Sequence, residues 1–301
     1  MKRLLPLCAL AALALLSLKS AECAGCAREG LRLCLETVLP TLFPFFVASL
    51  LFVSCGAADG LGALLAPFMR SLFGVGGAGA AALALGLCGG YPVGAKTAAA
   101  LYADGCLSRD EAERLLAFCN NAGPGFILGV CGGAVLESAR AGAYLLLVHV
   151  AAALLTGVLL RRRGEAKSSR GGEVPRPARQ SLARAFPAAV RDSFSAVWGV
   201  CGFVVFFMAL RGLVPALPPR LAPLWGFLEL TGGVLSLRGG GARAFVACAV
   251  LLGWGGLSVH AQTLSVLEGS GLSARYYLLG KAVHAALSGA LAYPAALWLF
   301  P

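Results

Sequence analysis

The sequence predicts an all-α polytopic membrane protein, built as two related halves whose helices are broken at polar, glycine-rich points. Three observations carry that prediction. Hydrophobic residues make up 58% of the 301 positions and charged residues only 13%, about half the ~25% of an ordinary soluble domain. Mean hydropathy is +0.81, with apolar segments from one end of the chain to the other, and so few charges could not cover a soluble protein of this length. Forty glycines are many for a soluble helical fold, whereas small residues in a membrane let helix backbones approach one another.

Along the chain, residues 1–27 open with Lys2 and Arg3, continue through the apolar run Leu4–Leu18 and end in SAECAGCA. The pattern is that of a signal peptide, and the run is at the short end for a spanning helix. We read it as a retained, signal-anchor-like hydrophobic helix, because the segments that follow need no separate export signal. Residues 28–38 (REGLRLCLETV) carry a charged and an apolar face, which predicts a helix lying along the membrane interface. Apolar segments then fall at about 40–57, 61–88, 116–135, 140–160, 186–214, 221–236, 243–268 and 276–300. Gly and Pro interrupt them at GLCGGYPVGAKT (86–97), CNNAGPGF (119–126), LELTGGV (228–234) and GWGGLSVHAQT (253–263). Such breaks need protein or water to satisfy the freed backbone groups, so they are the places to look for a site.

The net charge of +11 and pI near 9.4 do not indicate nucleic-acid binding. Residues 161–184 hold eight Lys/Arg against Glu165 and Glu173, which is six of the eleven net charges. No aromatic residue interleaves with them, as a single-strand stacking surface requires. The positive-inside rule makes 161–185 a basic cytoplasmic linker, between a first membrane half at 28–160 and a second at 186–301. Most of the eleven cysteines lie in apolar runs and read as small buried hydrophobes. Cys23 and Cys26 form a CxxC pair without the further ligands a structural zinc site needs.

Two of the breaks are copies of each other. GGYPVGAKTAAALYADG (89–105) aligns without gaps on GGLSVHAQTLSVLEGSG (255–271), with seven of seventeen positions identical. The matches include Val93 with Val259 and Thr97 with Thr263, which an Ala/Gly/Leu-rich background does not supply. Paired, Gly-interrupted segments at corresponding places in two halves point to a transporter substrate site. Whether the halves are inverted depends on whether an odd or even number of crossings separates them.

The first motif is not a phosphate loop, since Ala95 separates Gly94 from Lys96 and Pro92 sits within it. It reads instead as a helix break. Gly89 and Gly90 end one half-helix, Pro92 suits the start of the next, and Gly94 opens it with Lys96 in the first turn. A cation at a helix N-terminus needs an anionic partner, which is either a carboxylate such as Glu229 or a substrate. The second break, at Gly255 and Gly256, offers Ser258, His260 and Gln262, with His260 and Gln262 at the places of Gly94 and Lys96. Asn120 and Asn121 bring amides that suit carboxylate or ring-nitrogen recognition, or else cap a helix before Gly-Pro. Glu229 and Thr231 stand at a further break, as partner to Lys96, a coupling cation or a proton. His149 and His284 read as interhelical hydrogen-bonders. Asp110, Glu111 and Glu113 with Arg109 and Arg114 read as a solvated first turn capped by Ser108. No catalytic constellation, metal site or cofactor is expected.

Taken in order, GGYPVGAK, LSRDEAERLLAFCNNAGPGFILG, LELTGG and WGGLSVHAQ resemble the YlbJ-type sporulation integral membrane proteins, over about residues 30–290. That family carries the nucleoside recognition, or Gate, domain and is distantly similar to concentrative nucleoside transporters. The resemblance implies a nucleoside-transporter-like fold with re-entrant segments and a spore-forming bacterium. It also implies residence in the outer forespore membrane of the mother cell and transport of dipicolinic acid toward the forespore. Cys88 and the Asn120–Asn121 pair read as local variants of the family pattern. The expected partners are a small anion, dipicolinate foremost, the lipid bilayer, and a coupling ion, proton or sodium, with no nucleic acid. The alternatives are a transporter of the same build for another solute such as a nucleoside, and a non-transporting scaffold of the spore envelope.

Overall fold

The computed structural model describes residues 4–54, 57–161, 181–215 and 217–300. Among these every regular element is helical. The basic linker lies almost wholly outside the described residues.

The first helix, α1 (Leu4–Leu18), is followed by α2 (Ser20–Leu33), one π-helical turn (Cys34–Val38) and α3 (Leu39–Ser54). From Ser20 to Phe52 this is a single helix long and apolar enough to cross a membrane. The interfacial reading of residues 28–38 is therefore overturned. Cys23, Gly30, Cys34, Val38 and Leu42 form a buried stripe at near-helical spacing, while Arg32 and Glu36 pair on the exposed side at 3.7 Å. The stripe packs antiparallel on α9 (Leu182–Arg211). A Cβ on Gly30 would stand 3.0 Å from the Met208 Cβ, and one on Gly212 would stand 2.7 Å from the Cys23 backbone.

After α4 (Ala57–Phe68) and a π turn (Met69–Phe73) come two short helices, α5 (Gly79–Gly89) and α6 (Val93–Ala103). Each has 11 residues, about half of what a spanning helix needs. Then α7 (Arg109–Cys119) ends at the two asparagines, and an extended stretch leads to the π-helical segment Gly125–Val135 and α8 (Ala139–Leu159). The capping box at Ser108 is formed with Glu111. Glu111 and Arg114 are buried, however, so this turn is not solvated throughout. Glu111 also accepts from the Gly76 amide at 2.9 Å, which holds the entry to α5.

In the second half, α9 leads through a 3₁₀ stretch (Pro219–Phe227) to the six-residue α10 (Leu230–Leu235). Next come α11 (Gly241–Trp254), α12 (Gly256–Leu267) and α13 (Arg275–Leu299). The predicted breaks are the observed helix ends: α5 stops at Gly89, α7 at Cys119 and α11 at Trp254. Five helices reach membrane-spanning length and apolarity among the described residues, with Ala139–Leu159, Leu182–Arg211, Gly241–Leu267 and Arg275–Leu299 joining Ser20–Phe52.

The glycines account for the close packing. A Cβ on Gly253 would lie 2.6 Å from the Ala285 Cα, and one on Gly280 would collide with the Ala117 backbone. These contacts fix α13 against α11 and α7, the small-residue packing that membrane helices use in place of hydrophobic burial.

Candidate functional site

Two crossings of broken chain build the centre. In the first half, Gly86 and Gly94 flank the α5–α6 break, and a Cβ on either would collide with the Cys119 carbonyl. Gly90 has φ +76°, a left-handed backbone that favours glycine, and a Cβ there would be 2.9 Å from the Gly123 nitrogen. The α5–α6 break thus lies directly across the 119–123 stretch. In the second half, Gly255 and Gly256 have φ +95° and +76°. A Cβ on Gly256 would be 3.0 Å from the Gly226 carbonyl and 3.1 Å from the Leu230 nitrogen. The α11–α12 break therefore lies across 226–230, and the Ser258 amide donates to the Leu228 carbonyl at 2.9 Å.

Between the crossings is a cavity of about 50 Å³, whose wall includes Gly90, Glu229, Thr231, Ser258 and Gln262. The structure brings these five predicted residues together. Phe46, Phe126 and Phe203 supply aromatic surface to the same space. An adjoining, more open cavity of about 240 Å³, the outer chamber, shares Phe46, Tyr91, Val200, Phe203 and Gln262 with this inner chamber.

Glu229 is 5% exposed and is held by backbone. Its carboxylate accepts from the Thr231 amide at 2.8 Å and the Gly232 amide at 2.6 Å, which caps α10. It does not pair with Lys96. Lys96 is exposed on α6 and does not line the inner cavity. The buried positions of α6 are Gly94, Ala95, Ala98 and Leu101, a helical stripe that Lys96 falls outside.

The remaining predicted residues form a buried polar layer beside the cavity. The Asn120 amide donates to the Thr263 hydroxyl at 2.9 Å, and Asn121 donates to the Phe118 carbonyl at 2.8 Å, closing the end of α7. His260 Nδ1 and the Tyr277 hydroxyl are 2.8 Å apart, and the His260 ring meets Trp254 edge-on at 4.5 Å. His149 and His284 are interhelical hydrogen-bonders. His149 Nε2 accepts from the Ala122 amide at 3.1 Å, and His284 Nε2 lies 3.1 Å from the His149 carbonyl.

Sequence reasoning missed three members of this layer: Tyr91, Tyr277 and Lys281. Lys281 is 1% exposed and donates to the Asn120 carbonyl at 3.1 Å and the Tyr91 hydroxyl at 3.4 Å. Tyr91 in turn donates to the Leu252 carbonyl at 2.8 Å, which ties the first break to α11. The available signal was a lysine inside an otherwise apolar segment, a position that is a functional candidate by default.

Comparison with known proteins gives two findings. The nucleoside recognition (Gate) family model matches residues 35–160. The chain is 30% identical over 284 residues to the sporulation integral membrane protein YlbJ of Bacillus subtilis (strain 168), an alignment covering 80% of this chain and 70% of that protein. No solved structure matches it significantly.

Proposed function

This chain belongs to the YlbJ family of sporulation integral membrane proteins, and from that premise we propose that it is a secondary transporter of a small anion, dipicolinate foremost. We place it in the outer forespore membrane, moving its solute from mother cell toward forespore. The observation that carries this reading is the inner cavity, where polar groups of both halves meet at the crossings of broken helices. A scaffold could use uninterrupted helices, whereas breaks at membrane depth are tolerated where they line a cavity.

The chemistry of the wall suits a planar aromatic dicarboxylate. Ser258 and Gln262 offer hydrogen-bond donors to a carboxylate, and Phe46, Phe126 and Phe203 offer faces and edges to a pyridine ring. Asn120, Asn121, His260 and Thr231 shape the polar surroundings, and the glycines at 89, 90, 94, 255 and 256 permit the crossings. Lys96, on the outer face of α6, is left without a role in binding. As it stands the inner chamber has room for only a few waters, at about 50 Å³. A pyridine dicarboxylate enters from the outer chamber when Phe46 and Phe203 swing aside.

The family description favours one second reading, a nucleoside. Binding of labelled dipicolinate to the protein in nanodiscs, competed by picolinate and by uridine, separates the two. Dipicolinate should bind saturably and resist uridine. Displacement by uridine at lower concentration than by dipicolinate would transfer the assignment to nucleosides.

A further inference from the structure

We infer that Lys281 is the group that takes up a proton together with the anion, so that transport is proton–anion symport. This rests on the transporter reading above and adds its coupling chemistry.

Lys281 lies in the second turn of α13 and is fully enclosed. Its amine has two hydrogen-bond partners, the Asn120 carbonyl and the Tyr91 hydroxyl, and sits 5.0 Å from the centre of the Tyr91 ring. No ion pair reaches it among the described residues. The titratable groups of the elements packed on α13 supply no negative charge, and Glu229, the carboxylate in the wall of the inner cavity, is held by the Thr231 and Gly232 amides. Tyr91 faces it from the α5–α6 break, Cys119 from α7, His149 from α8 and His260 from α12, with Tyr277 and His284 on its own helix. The buried polarisable group of α11 is the Cys248 thiol, packed in the apolar core with Cys131. The carboxylates of α7 are engaged elsewhere. Glu111 holds Ser108 and Gly76, and Glu113 holds Arg109 and the Ser273 amide.

An ammonium buried without a counter-anion is one of the costliest arrangements a membrane protein can hold. Here the missing charge can arrive with the substrate. Tyr91 lines the inner cavity and touches Lys281 with its hydroxyl, so an anion in the chamber stands one side chain away from the amine. On the residues around Lys281, four buried polar atoms lack a hydrogen-bond partner among the described residues: Asn120 Oδ1, His149 Nδ1, His260 Nε2 and His284 Nδ1.

The step is a proton transfer alone. One N–H bond forms between the Lys281 amine and a proton given up by a hydronium ion of the acidic side, whose O–H bond breaks to leave water. The N–H bond breaks again when the anion leaves on the other side and the proton follows.

The test uses the full chain in proteoliposomes, with labelled dipicolinate outside and the membrane potential clamped at zero. For one proton per anion, an outside one pH unit more acidic than the lumen should give about tenfold accumulation, because a tenfold ratio is the equivalent of one pH unit. Lys281→Met should bring that ratio to about one, with dipicolinate exchange between the two sides still measurable. Lys281→Arg should do the same, since a guanidinium keeps its charge and cannot release the proton. It decides the matter should the Met variant fail to insert. Tenfold accumulation by either variant, or wild-type accumulation indifferent to the pH gradient, would overturn the coupling assignment and leave the transporter standing. No wild-type uptake under any gradient would remove the transporter reading, and this inference with it.

Discussion

Replacing Glu229 by Gln probes the one carboxylate that both lines the cavity and holds a helix end. The wild-type side chain accepts from the Thr231 and Gly232 amides at 2.8 and 2.6 Å. Gln keeps a single acceptor oxygen and turns an NH₂ toward the other amide, so one charge-assisted bond is lost and the remaining one becomes neutral. A bond to a charged group contributes about 1.5–3 kcal/mol, and a negative charge at a helix N-terminus about 0.3–1 kcal/mol. The change should therefore destabilise the protein by roughly 2–4 kcal/mol, inside the ~5–15 kcal/mol that native domains hold. The variant should still fold and insert. Unfolding followed by tryptophan fluorescence in nanodiscs reads this locally, because Trp254 donates to the Phe227 carbonyl at 3.2 Å, beside the capped turn. Dipicolinate uptake by the inserted variant should be abolished, because the capped turn 229–232 that forms one wall of the cavity loses its hold. A stability loss under about 0.5 kcal/mol, the scale of an ordinary surface substitution, together with full uptake would show that the charge neither caps α10 nor serves transport.

Gly94→Ala should lower the unfolding midpoint, because its Cβ would meet the Cys119 carbonyl carbon at 2.7 Å and overpacking against backbone costs about 1–3 kcal/mol or more; an unchanged midpoint would mean that the 86–94 and 119–123 segments do not cross as described. Gln262→Ala should raise the dipicolinate Kd in nanodiscs about ten- to a hundredfold, the equivalent of losing a bond to a charged group. Lys96→Gln should change that Kd less than about twofold, the scale of a surface substitution, and the reverse ranking of these two variants would return Lys96 to the binding site. The linker 161–185 should face the cytosol: with the protein expressed in the plasma membrane of non-sporulating cells, a cysteine placed at Ser168 should add no labelling by an impermeant maleimide, and strong added labelling would reverse the orientation.

The breaks were legible because they are local. Gly89–Gly90, Gly255–Gly256 and the GPG after Asn121 interrupt helices through their own backbone preferences, and α5, α11 and α7 end there. Ser258, Gln262, Glu229 and Thr231 could be picked out because they are polar residues beside such breaks. Lys96 and Lys281 show where this reasoning stops. Both are lysines in apolar helices, and which one turns inward is set by packing partners distant in sequence. Gly94, Ala95 and Ala98 put one face of α6 inward and leave Lys96 outside. Gly280, pressed on the Ala117 backbone, brings Lys281 to the Asn120 carbonyl. Residues 28–38 were misread for a related reason. Their charges gave an amphipathic pattern, but the apolar stripe of Gly30, Cys34 and Val38 answers a spanning helix, α9, rather than the membrane surface.

Whether this chain carries dipicolinate across a membrane is decided by uptake of the labelled anion into proteoliposomes containing the purified protein. Uptake should be saturable, exceed that of protein-free vesicles and fall with the Gln262→Ala substitution. Uptake equal to that of protein-free vesicles, under inward proton and sodium gradients alike, would leave an integral membrane protein of the YlbJ family that does not transport this anion.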